Sequence, residues 1–153
     1  RHRLSPGPVI ALPTMEHLVF VYGTLKQGYP NFHVNEGRRV GGDFVTEERF
    51  PLLVLVDEGL PWLMPTPGRG EHVTGQVYAV DAAGLARMDV LEQIDEPGWY
   101  QRQRIRVAPA GGGEVIEPWV YFGDAERGAI ARVRFGPLAE YTLEHAKTYG
   151  EGA

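Results

Sequence analysis

From Leu18 onward the chain runs in short apolar stretches, each closed within a few residues by glycine or proline. Such punctuation leaves little room for long helices and favours short strands in a barrel or a strongly curved sheet. Residues 18–21, 50–56, 61–64, 73–80, 99–107 and 118–122 are the expected strands, with 37–45 a further extended segment. Residues 73–80 alternate: Val73, Gly75, Val77 and Ala79 face one way, Thr74, Gln76, Tyr78 and Val80 the other. A helical pattern interrupts the strands. Asp81 is placed as an N-cap, Leu85, Met88 and Leu91 share one face, and the helix closes near Glu92 before the Asp95-Glu96-Pro97-Gly98 loop. Residues 138–149 have near-helical apolar spacing and read as a terminal helix or an ordered tail. The expected architecture is one α+β domain, mostly sheet with one or two helices.

At 153 residues the chain is long enough for one domain with a real core. Residues 1–14, rich in proline and without periodicity, are expected to be a loosely ordered extension, and 15–153 the folded domain. The residue inventory removes several chemistries. There is no cysteine, which excludes disulfides, thiolate metal sites and Cys nucleophiles. The single serine, Ser5, lies in the extension and argues against a serine-hydrolase triad. Lys26 and Lys147 are the only lysines, so Schiff-base candidates are few. A net charge of −5 with scattered arginines argues against a nucleic-acid surface, and no apolar run reaches the ~20 residues of a membrane span. A cytoplasmic location is expected. Five histidines without close spacing give no metal motif, and no cofactor is expected.

The chemistry therefore falls to carboxylates, hydroxyls, histidines or backbone. The run Val19-Phe20-Val21 stops at Tyr22-Gly23-Thr24-Leu25, where an aromatic, a glycine and a hydroxyl end a buried strand. Glycine there permits positive φ or a close approach to the main chain, and successive N–H groups in such a turn make an anion-binding concavity. Glu92 follows Leu91 at the helix end. Held against apolar surface its pKa would rise toward that of a general base at neutral pH; reaching into solvent it would be an ordinary helix-end glutamate. Arg102, Arg104 and Arg106 share a strand face, to bind an anion or to be solvated. Trp62, Trp99, Trp119 and Tyr121 are pocket or core aromatics.

The order of these segments is itself informative. Tyr22-Gly23-Thr24-Leu25, then Phe50-Pro51-Leu52 and Gly59-Leu60-Pro61-Trp62-Leu63, then Gly75-Gln76-Val77-Tyr78, then Met88-Asp89-Val90-Leu91-Glu92, then Tyr100-Gln101-Arg102 resembles the gamma-glutamylcyclotransferase-like superfamily, and within it the gamma-glutamylamine branch. The resemblance spans residues 18–122. It implies a small mixed β-barrel with a few flanking short helices. It implies cleavage of a γ-glutamyl amide by cyclisation, releasing 5-oxoproline and an amine. It assigns the general base to Glu92, in preference to Glu96 in the loop beyond, and substrate binding to Tyr22, Gly23, Thr24 and Leu25.

That chemistry suits the inventory, because the nucleophile is the substrate's own α-amino group. A protein need only fold the chain of the substrate, where effective molarities reach roughly 10⁵–10⁸ M, move a proton and steady the developing oxyanion. Two alternatives accompany this expectation. One is a cyclotransferase for a specialised γ-glutamyl metabolite or dipeptide. The other is a non-catalytic domain of the same fold that binds a small ligand.

Overall fold

The structure is a computed structural model and describes residues 15–152; the expected extension, residues 1–14, lies outside the described residues. Among the described residues, nine strands and three α-helices follow one another as β1 (His17–Val21), β2 (Arg38–Phe50), β3 (Leu52–Leu55), β4 (Pro61–Leu63), β5 (Glu71–Val80), α1 (Ala82–Leu91), β6 (Tyr100–Arg104), β7 (Val107–Pro109), β8 (Trp119–Gly123), α2 (Ala125–Ile130), β9 (Val133–Phe135) and α3 (Leu143–Ala146). The main sheet has six strands in the order β6-β8-β1-β5-β2-β7, and β4-β3-β9 form a smaller sheet. The α+β class expected from the punctuation is the class observed. Among the described residues the main ladder is open, yet its two edge strands, β6 and β7, are neighbours in the chain, so the sheet curls strongly. The expected strand over 99–107 is thus two strands: Ile105 and Arg106 carry the turn from pairing with β8 to pairing with β2.

The sheet is covered on both faces, which explains why residues 18–21 show no polar alternation. Phe20, Val73, Val77, Val120 and Phe122 point into one apolar cluster. On the opposite face of the same strands Val19, Val21, Tyr78, Val80 and Tyr121 point into a second, together with Leu85 and Met88 of α1. The antiparallel register Phe20↔Val77 places β1 beside β5, and Val19↔Trp119 places it parallel to β8. Asp81 caps α1 as expected, its Oδ1 accepting the Gly84 N–H at 2.7 Å. The tail is ordered, with helix limited to α3. Among the described residues no helix is long and apolar enough to cross a membrane.

Candidate active site

β1 ends in the sheet centre, and residues 22–26 leave it as a buried turn closed by the Lys26 N–H to Gly23 carbonyl bond of 3.2 Å. The Gly23 backbone is not left-handed. Its glycine is required instead by a close approach: a Cβ at this position would lie 2.9 Å from Pro61 Cγ. Pro61 belongs to β4, so the smaller sheet presses against the turn. Among the described residues, no protein acceptor meets the N–H groups of Gly23, Thr24 and Leu25. Backbone donors that find no partner in the protein are left to water or to a ligand.

The end of α1 supplies the opposite wall. Glu92 is the C-cap, and its N–H bonds the Met88 carbonyl. Beyond it the N–H groups of Gln93 and Ile94 return to the carbonyls of Val90 and Asp89 at 3.2 and 3.3 Å. This is a Schellman closure, with Gln93 at φ 52 where glycine is usual. The helix end is also tied sideways. Asp89, one turn before Glu92, takes both Nε and Nη2 of Arg102 at 3.0 and 3.3 Å, and the Tyr121 hydroxyl at 2.7 Å. Arg102 therefore does not present an anion site; it fixes the last turn of α1 to β6. Arg104 lies over the Trp119 ring, and Arg106 pairs with Glu47 and Glu117, so the remaining arginines of that face are also committed.

A cavity of about 190 Å³ separates the two walls. Tyr22, Gly23, Thr24, Leu25 and Glu92 all line it, so the residues singled out from the sequence come together. Glu96 does not line it and is exposed. Glu92 is half-buried and, among the described residues, its carboxylate has no cation or hydrogen-bond donor beside it. Burial alone pushes its carboxyl up to about 8. The group is therefore largely protonated at neutral pH and ionises just above it. Two tyrosines spend their protons on carbonyls and act as walls: Tyr22 on Tyr121 at 2.7 Å, Tyr100 on Pro61 at 2.6 Å. Burial raises the pKa of both phenols well above the ordinary value, with the Glu92 charge adding to it.

Sequence reasoning missed three contributors. Asn31 reaches the cavity after the turn, Glu58 enters it at φ 57, and Tyr149 arrives from the C-terminal tail. The tail is clamped there, with the Gly150 N–H on the Glu58 carbonyl at 2.7 Å and the Lys26 ammonium on the Tyr141 carbonyl. Asp57-Glu58-Gly59 is a turn-forming triplet, but nothing in it tells that Glu58 reaches the cavity.

The profile described as "Gamma-glutamyl cyclotransferase, AIG2-like" matches residues 19–138. The chain belongs to that family. The gamma-glutamylaminecyclotransferase of Mus musculus is 42% identical over 131 residues, 82% of this chain and 80% of its own. Gamma-glutamylaminecyclotransferase C of Danio rerio is 37% identical over 117 residues, 69% of this chain and 74% of its own. The crystal structure of an AIG2-like protein from Mus musculus superposes with a TM-score of 0.70 at 31% identity, covering 84% of this chain and 90% of that one. In this AIG2-like chain the matched span contains the whole turn, Glu92 and the Arg102 tie, whereas Tyr149 lies beyond it.

Proposed function

We propose that the protein cleaves γ-glutamyl amides of amines by cyclisation, releasing 5-oxoproline and the free amine. The observation that carries this reading is the Glu92 carboxyl, pushed up to about 8, on the same cavity as the turn whose N–H groups have no protein acceptor. The substrate's α-nitrogen attacks its own δ-carbonyl carbon; one C–N bond forms to close the five-membered ring and the amide C–N bond breaks. The α-ammonium gives up two protons and the leaving nitrogen gains two, so neither water nor a redox partner enters the balance. Glu92 in its ionised form accepts a proton from the attacking nitrogen and, as the acid, returns one to the departing amine. The N–H groups of residues 23–25 stabilise the negative charge that grows on the δ-oxygen. The names of the mouse and zebrafish relatives favour an amine-derived amide over a dipeptide as substrate class.

The test is a panel of γ-glutamyl amines and γ-glutamyl dipeptides assayed for 5-oxoproline, with wild type beside Glu92→Gln. Release from the amines that Glu92→Gln loses supports the reading. Glutamate instead of 5-oxoproline as product, or wild-type rates in a folded Glu92→Gln, refutes it.

A further inference from the structure

The γ-glutamyl group carries an α-carboxylate, yet among the described residues no lysine, arginine or histidine lines the cavity. A carboxylate moved there from water must be met by neutral donors. Two hydroxyls stand ready. Asn31 Nδ2 lies 2.9 Å from Thr24 Oγ1 and 2.8 Å from the Tyr149 phenol oxygen. An amide nitrogen only donates, so both oxygens are acceptors toward it and both keep their own protons. Among the described residues no acceptor takes either proton. The ~120° between the two amide protons sets the two oxygens roughly 5 Å apart, within reach of the two oxygens of one carboxylate.

We propose that Asn31, Thr24 and Tyr149 form the receptor for the α-carboxylate of the γ-glutamyl group. The Thr24 and Tyr149 hydroxyls donate to its oxygens, and Asn31 holds both hydroxyls in the donor sense. This assignment rests on the substrate class proposed above and leaves the N–H groups of residues 23–25 to the δ-oxygen. The tail makes the receptor possible. The Tyr149 N–H bonds the Ala146 carbonyl at 3.1 Å, and Gly150 is pinned to Glu58. Gly59 is kept free of a side chain by Thr148, whose carbonyl oxygen would lie 2.1 Å from a Cβ there. Glu92, mostly protonated at neutral pH, adds little opposing charge, and Glu58 is the other carboxyl on the cavity wall. Asn31 and Tyr149 are positioning and binding groups, separate from the proton transfer.

The receptor is tested by binding alone, without turnover. Calorimetry compares 5-oxoproline with 2-pyrrolidinone, the same lactam lacking the carboxylate. Wild type is expected to prefer 5-oxoproline by about 10-fold or more, the preference of two hydroxyl bonds to an ionised group. Tyr149→Phe removes one donor, and Asn31→Asp substitutes an acceptor that captures both protons in the same shape. Each is expected to cut the preference about 5- to 20-fold while leaving 2-pyrrolidinone binding within twofold. The proposal is overturned if either variant, folded with wild-type melting, keeps the wild-type preference, or if wild type binds both lactams equally. A wild type that shows the preference but releases no 5-oxoproline from γ-glutamyl amides refutes the proposed activity and leaves the receptor standing.

Discussion

The turn at residues 22–25 and the end of α1 at residues 91–93 face the same cavity, but the turn works through main chain and the helix end through one side chain. The turn's donors are N–H groups without a protein acceptor, and Pro61 packs closely on Gly23 among them. The helix end has the N–H groups of Glu92, Gln93 and Ile94 bonded back into α1, and turns side chains to the cavity, the Glu92 carboxyl being the titratable one. A wall made of backbone responds to shape. A wall made of one titratable group responds to pH and burial. The two walls should therefore fail in different ways when altered.

The largest separation is expected from Glu92→Gln, which keeps the shape and removes the base. Release of 5-oxoproline should fall roughly 10²–10⁴-fold, with substrate binding little changed. In wild type kcat/KM should rise with pH through about 8 as the carboxyl ionises, and the rate that remains in the variant should lose that rise. Steady-state pH profiles of both proteins decide this. Gly23→Ala should come next. The added methyl meets Pro61 and shifts the donors, for about a 10²-fold loss that leaves the pH profile in place. A Gly23→Ala profile displaced along the pH axis would show that the two walls are not independent.

Stability separates them in the opposite sense. The folded Glu92 carboxyl ionises at about 8 against 4.5 unfolded, so between these values the native state binds more protons and its stability falls as pH rises. Glu92→Gln escapes that fall. It should match wild type near pH 4.5 and exceed it by roughly 1–4 kcal/mol at pH 8, the full shift being discounted for the solvent-open edge of the carboxyl. Denaturant titrations across the window measure the gap, and a constant gap would contradict the cause assigned to the raised pKa. The smallest effect is expected from Gln93→Gly, which relieves the left-handed residue at the helix stop. A gain of about 0.5 kcal/mol in denaturation midpoint is expected, offset in part by the freer unfolded chain.

The legible parts of the site were those made by neighbours in sequence. Tyr22-Gly23-Thr24-Leu25 shows as a strand stop, and Glu92 as the residue after a helical apolar face closed by Asp95-Glu96-Pro97-Gly98. The break at Ile105 and Arg106 was hidden, because it follows from where the curled sheet changes partners and not from local propensity. The Asp89–Arg102–Tyr121 tie was hidden for a related reason: three arginines on a strand look alike until a helix is packed beside one of them. Asn31 and Tyr149 are 118 positions apart, and no local pattern links them.

By itself the sequence determined the α+β class, the capped helix and the position of the turn, and it brought out Glu92 as a candidate base only through the order of its motifs. The first three follow from periodicity, capping and inventory, which act over a few residues. The tertiary structure decided that Glu92 is half-buried without a partner, that Gly23 is required by Pro61 and not by φ, and that the tail supplies Tyr149. The reason is physical: desolvation, steric approach and hydrogen-bond roles depend on which distant groups surround an atom, and only the packed chain specifies those.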